Sequence, residues 1–223
     1  MDVVNIYKTI PKNISKKELI NELLTFFSDT PKTTSIIGNI LLNDLRQNKS
    51  INYVQLVELI GYLHQKSKEN EKISNTDKRK HFGIYYTPYS IARKLSNELL
   101  EGFKINEIIN KTFFEPCAGI GIFIIAYLDE IIQNYQLKDK EIIQEIINNI
   151  YYADIDPDAI ELLRIILPRY LKQKYEVNIK FKKDNCYIGN VLFDTSNQNI
   201  LKQDPIKLFN IKNKFDFIPT NPP

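Results

Sequence analysis

The stretch Thr112-Phe113-Phe114-Glu115-Pro116-Cys117-Ala118-Gly119-Ile120-Gly121-Ile122-Phe123 reads as a short strand that ends, a glycine turn, and a helix that begins. The strand is expected over 112–115 and the helix over 121–134. The same alternation continues downstream. A helix is expected over 138–149, with Ile142, Ile143, Ile146 and Ile147 inside, followed by a strand over 150–154. Pro157 then opens another helix, to about Lys174, where its missing N–H costs nothing. Extended segments follow near 177–181, 186–189 and 215–218. Strand, helix, strand, helix, strand implies right-handed crossovers and a parallel sheet covered on both faces, so the expected fold class is α/β.

Toward the N-terminus the pattern changes to helices alone. Ser15 followed by Glu18 makes a capping box ahead of Leu19, Ile20, Leu23, Leu24 and Phe27 at helical spacing. A second helix is expected from Thr33 or Thr34, burying Ile36, Ile37, Ile40, Leu41 and Leu45. A third is expected over 53–66, with Val54, Val57, Leu59, Ile60 and Leu63 apolar. Residues 66–81 lose their apolar side chains and gain charge, which suggests a linker or exposed loop. Two domains are therefore expected, a helical one with its linker over 1–81 and an α/β one over 82–223.

Composition bounds the function. Of 223 residues, 43% are apolar and 26% charged, as in a globular protein with a core. No apolar run is long enough to span a membrane, and residues 1–11 lack a secretory pattern. Two cysteines cannot form a disulfide framework, and no Cys/His cluster has zinc spacing, so reducing cytoplasm is the expected compartment and no metal is expected. Residues 1–82 carry 13 Lys/Arg against 9 Asp/Glu, and residues 83–223 carry 17 against 18. The basic N-terminal part suits weak phosphate contact; a solvated surface is the plainer reading of any single lysine.

Four short motifs carry chemistry. In the first, Glu115 to Phe123, glycines let a ligand approach the backbone and the helix start offers free N–H groups. A dinucleotide fingerprint would have a third glycine, and Glu115 would repel phosphate. The carboxylate suits an ammonium-bearing ligand such as the methionine end of S-adenosylmethionine; an ordinary turn is the alternative. In the second, Ala153-Asp154-Ile155-Asp156-Pro157, Asp154 ends a strand and can accept both hydroxyls of a ribose, while Asp156 is the better helix cap. In the third, Phe215 to Pro223, Asn221 and Pro222 offer carbonyls that can accept two hydrogen bonds from one planar amino group. That would draw the nitrogen toward tetrahedral geometry and localise its lone pair; the alternative is a frayed chain end. In the fourth, Gly83-Ile84-Tyr85-Tyr86-Thr87-Pro88, Thr87 is a good cap and Pro88 a natural first residue for a helix carrying Ile91, Leu95, Leu99 and Leu100.

Together and in this order, the four resemble the amino-methylating DNA adenine methyltransferases of restriction–modification systems. The resemblance covers 82–223, and the helical segment before it is similar to the N-terminal helical region of larger family members. It implies a Rossmann-like S-adenosylmethionine-dependent methyltransferase domain, incomplete at its C-terminus and preceded by a small helical domain. Tyr86, Thr87, Glu115, Gly119 and Gly121 would then hold the methionine part of the cofactor. Asp154 would bind the ribose, and Ile155 would pack on the adenine ring. Gly189-Asn190-Val191-Leu192 looks like the motif that reads the cofactor adenine, with Asn190 in place of the commoner Asp and Asp184 as a competing choice. Asn221, Pro222 and Pro223 match the start of the catalytic Asn-Pro-Pro-aromatic tetrad, which binds the amino group of an adenine flipped from duplex DNA.

The stacking aromatic of that tetrad and everything the family places after it are absent, so the expectation is a cofactor-binding half that does not methylate DNA by itself. A second chain supplying the rest is an expected partner beside double-stranded DNA. Glutamine methyltransferases acting on release factors share Asn-Pro-Pro-aromatic and a helical N-terminal domain, but lack a Gly83–Pro88 motif. A non-catalytic remnant is the third reading.

Overall fold

A computed structural model describes residues 15–25, 52–68, 72–73, 76–77, 87–194 and 201–220. The chain divides into two compact units, one of Met1–Tyr86 with Arg169–Glu176 and Pro223, the other of Thr87–Pro168 with Val177–Pro222.

In the first unit, α1 (Lys16–Thr25) starts with the expected capping box. The Glu18 N–H donates to Ser15 Oγ at 3.1 Å, and the Ser15 N–H to Glu18 Oε2 at 3.3 Å. Helix α2 (Tyr53–Lys68) has a second reciprocal pair, in which the Gln55 N–H donates to Asn52 Oδ1 and the Asn52 N–H to Gln55 Oε1, each at 2.9 Å. Leu19, Ile20, Leu23 and Leu24 of α1 and Leu56, Val57, Leu59, Ile60 and Leu63 of α2 are buried. Lys16 Nζ donates to the Lys66 carbonyl at 2.7 Å, near the end of α2. Arg169, from the segment of 169–176, donates to the Leu24 carbonyl at 3.0 Å. The stretch expected as a plain linker begins helical, since α2 runs on to Lys68. It also contains a two-residue antiparallel ladder, β1 (Lys72–Ile73) with β2 (Thr76–Asp77), in register Lys72↔Asp77 and Ile73↔Thr76. Only two residues separate these strands, the spacing of a tight hairpin. The helix expected from Thr33 or Thr34 lies outside the described residues.

The second unit opens with α3 (Tyr89–Leu100). Thr87 is not its cap: Pro88 holds that position, its carbonyl accepts from the Ile91 and Ala92 N–H groups, and no side chain caps the helix. Helix α3 packs through Tyr89, Ala92, Ser96 and Leu100, while Ile91 and Leu95 are exposed. Polar anchors reinforce its seat on α5 (Ile122–Asn134): the Tyr89 hydroxyl donates to Asp129 Oδ2 at 2.5 Å, and Arg93 pairs with Glu130. Between them come a one-turn helix, α4 (Ile105–Ile108), and β3 (Phe113–Glu115).

The helix expected over 138–149 is α6 (Lys140–Asn148). Asp139 caps it by accepting from the Glu141 and Ile142 N–H groups at 2.9 and 3.3 Å. Ile143, Ile146 and Ile147 are buried, whereas Ile142 is only half-buried. Then follow β4 (Ile150–Asp154), α7 (Pro157–Tyr175) and β5 (Cys186–Ile188). Strands β3, β4 and β5 form a three-stranded parallel sheet in that order, with Glu115 opposite Tyr152 and Asp154 opposite Ile188. On the free side of β3 the chain returns at Phe217, which makes one parallel bridge to Phe113; the Phe114 N–H donates to the Phe217 carbonyl at 2.8 Å.

Alternation along β3 sends Phe113 to one face and Phe114 to the other. Phe113 lies on Tyr127 of α5, with ring centroids 4.4 Å apart, and Phe114 stacks on Phe215 at 4.5 Å beside Phe209, Ala153 and Val191. Both faces are therefore covered, as the alternation of elements implies.

The extended segment at 177–181 joins no ladder. Gln144 of α6 takes up its backbone: the Lys180 N–H donates to Gln144 Oε1 and Gln144 Nε2 to the Lys180 carbonyl, each at 2.9 Å, while Val177 fills the core. Three further elements have no counterpart in the sequence reading. These are the antiparallel pair β6 (Phe193–Asp194) with β7 (Leu201–Lys202), and α8 (Pro205–Leu208), capped by Asp204. No helix among the described residues is long and apolar enough to cross a membrane.

Candidate functional site

The three parallel strands end side by side, at Glu115, Asp154 and Ile188. Strands β4 and β5 lie to one side of β3 and the Phe217 bridge to the other, so strand order reverses at β3. Such a reversal leaves a crevice at the carboxyl end of the sheet, the usual ligand position in open α/β folds. Glu115 stands at that end.

Glu115 is fully buried. Its Oε1 accepts from the Cys117 N–H at 3.1 Å, while Oε2 is buried with no hydrogen-bond partner among the described residues. Burial pushes its carboxyl up to about 8, and Asp154 adds to the rise; the Cys117 N–H and the Thr220 hydroxyl oppose it. Burial also raises the Cys117 thiol, again opposed by Thr220. The Thr220 hydroxyl oxygen is itself buried and has no hydrogen-bond partner among the described residues.

Beyond Glu115 the chain turns through Gly119 (φ +52°) and Gly121 (φ +88°). The two glycines serve different ends. A Cβ on Gly121 would meet Leu163 Cγ of α7 at 2.9 Å, so this glycine lets helix and turn approach. A Cβ on Gly119 would meet nothing within 4 Å, which leaves open space above the turn for a ligand. Gly121 also ends the turn as the N-cap of α5, where it offers no side chain to the first N–H groups.

Asp154 holds the turn in place. Its Oδ2 accepts from the Gly119 N–H at 2.7 Å and its Oδ1 from the Asp156 N–H at 2.8 Å. Asp156 is buried and caps α7 as expected, accepting from the Asp158 N–H at 3.0 Å. Ile155, next along, is half-buried.

No protein-family model, no curated protein and no solved structure matches this chain.

Gly189, at φ +146°, donates its N–H to the Asp154 carbonyl at 2.9 Å, which ties this turn to the end of β4. Asn190 is exposed, and its amide oxygen is engaged within its own turn. That oxygen already accepts from the Leu192 and Phe193 N–H groups, at 2.9 and 3.2 Å, so the amide NH₂ is the end left to meet a ligand. Asp184 is exposed in a short 3₁₀ turn. Thr87 is buried just ahead of α3. Tyr86, Asn221, Pro222 and Pro223 lie outside the described residues. The structure thus gathers Glu115, Gly119, Gly121 and Asp154 at one sheet end. It adds Thr220, which the sequence reading passed over; its only signal there is a hydroxyl at a strand end immediately before Asn221.

Proposed function

We propose that the chain binds S-adenosylmethionine at the carboxyl end of its parallel sheet, as the cofactor-binding part of a DNA adenine-N6 methyltransferase with a partial Rossmann-like fold. The observation that carries this reading is Glu115, a wholly buried carboxyl group beside a glycine turn whose Oε2 has no hydrogen-bond partner among the described residues. An unsatisfied buried oxygen costs about 1–3 kcal/mol, so it points to a donor that arrives from outside.

The donor set fits the amino-acid end of the cofactor. Glu115 suits its ammonium, and the uncapped first turn of α5 suits its carboxylate, through free N–H groups and the helix dipole. Phosphate fits poorly beside Glu115. The open space at Gly119 admits the ligand backbone, and Asp154, an acid at the end of β4 beside that turn, is the residue that would meet the ribose hydroxyls. Ile155 would pack on the adenine ring, with the Asn190 amide as donor to a ring nitrogen. When bound, the cofactor supplies an electrophilic methyl group. Asn221 and Pro222 would accept from the amino group of the target base and so sharpen its lone pair.

The test is tritiated methyl transfer by the chain together with a second chain that supplies the remainder of such a methyltransferase, with duplex DNA and a release factor offered together. Label recovered as N6-methyladenine supports the reading, and label on glutamine replaces it with protein methylation. Label on neither, from a chain that binds the cofactor, makes it a binding module without turnover. A chain that binds no cofactor ends the proposal.

A further inference from the structure

Two buried oxygens at the reversal point lack hydrogen-bond partners among the described residues, Glu115 Oε2 and Thr220 Oγ1. They come from opposite ends of the second unit's sequence. The Phe113–Phe217 bridge and the Phe114 N–H bond to the Phe217 carbonyl bring their segments together. Glu115 and Thr220 lie two and three residues beyond the paired Phe113 and Phe217, at the same sheet end, and the Thr220 hydroxyl opposes the rise that burial imposes on the Glu115 carboxyl. The other groups acting on Glu115 are the Cys117 N–H, which also favours the carboxylate, and Asp154 on β4, which disfavours it; none of these is a cation. Ionised Glu115 therefore has no positive partner among the described residues that act on it. A hydroxyl can donate to a carboxylate and accept from an ammonium at the same time, so Thr220 can serve both partners of one ion pair.

We propose that Thr220 is a positioning residue of the cofactor site: its hydroxyl supports the Glu115 carboxylate for the ligand's ammonium, and ligand capture is coupled to loss of one proton. The proposal rests on the cofactor reading above. In the free chain Glu115 keeps its proton below about pH 8. As an ammonium enters, that proton passes to solvent and the cation takes its place, so one positive charge leaves as one arrives. No covalent bond of the ligand changes. A ligand that carried no ammonium would leave Glu115 protonated and would bind without proton release.

The experiment is calorimetry of the full chain with S-adenosylmethionine and with methylthioadenosine, which lacks the amino-acid end. It is run between pH 6 and 7.5 in buffers of different ionisation enthalpy, with a ligand-free carbon NMR titration of the Glu115 carboxyl alongside. For S-adenosylmethionine, affinity should rise about tenfold per pH unit with nearly one proton released, and methylthioadenosine should release none. Thr220→Val should move both that limb and the ligand-free midpoint up by about one pH unit, and Thr220→Ser should restore them. An unchanged midpoint in Thr220→Val, or wild-type binding without proton release, overturns the proposal and leaves the cofactor reading standing. If the wild type binds neither ligand, both fall.

Discussion

Replacing Glu115 with glutamine should stabilise the protein, by an amount that grows with pH. Glutamine keeps the shape, and its amide oxygen can still accept from the Cys117 N–H, but it never carries charge. In the wild type, burial holds the carboxyl at about 8 against an ordinary 4.5. Below 4.5 both folded and unfolded chains hold the proton, and the two proteins should be about equally stable. Between 4.5 and 8 the unfolded wild type releases a proton that the folded form retains, so wild-type stability falls as pH rises through this window. The slope approaches about 1.4 kcal/mol per pH unit for one such group, which sets a ceiling near 5 kcal/mol by pH 8. Glu115→Gln escapes this loss while losing the partner for a ligand ammonium. The assay is urea denaturation of both proteins from pH 5 to 8.5. A stability difference that stays flat with pH, or a variant less stable at pH 8, would refute the argument that Glu115 is a buried acid without a cation.

The two glycines of the turn should separate packing from binding. Gly121→Ala should lose about 2–4 kcal/mol in urea denaturation, from left-handed strain plus the clash with Leu163. Gly119→Ala should lose only about 1–2 kcal/mol, from its φ of +52°, yet lose most cofactor affinity by calorimetry. Elsewhere, buried Asn185 donates to the Asn148 and Ile150 carbonyls at 2.9 and 3.0 Å. Asn185→Ala should therefore cost about 1–3 kcal/mol in the same assay, and loss of that amide should speed amide hydrogen exchange around the start of β4.

The parts of the fold that were legible in the sequence are those whose signal is local. The strand at Ile150–Asp154 shows as a β-rich run, and Pro157 marks the start of α7 because a first-turn proline costs nothing. Ser15 with Glu18 announces the start of α1, because each side chain accepts from the other's free backbone N–H. What escaped depends on distant partners. Nothing near Lys180 says that Gln144 will satisfy its backbone and deny 177–181 a strand. Thr87 has the residue type of a cap, but the helix begins after Pro88, and Thr87 is buried. Within the site, Glu115 and Asp154 stood out as acids at strand ends. The tie from Asp154 to the Gly119 N–H and the bridge that brings Phe217 beside Phe113 both join chain segments far apart in sequence.

The most direct measurement of the central claim is calorimetric binding of S-adenosylmethionine to the folded, monodisperse wild-type chain and to Asp154→Ala. The variant removes an acceptor that holds the Gly119 N–H and faces the proposed ribose position. The wild type should bind, and Asp154→Ala should weaken binding by about 1–3 kcal/mol, the value of hydrogen bonds to a charged acceptor. No heat of binding from the folded wild-type chain, or equal affinity in Asp154→Ala, would contradict a cofactor site at the ends of these strands.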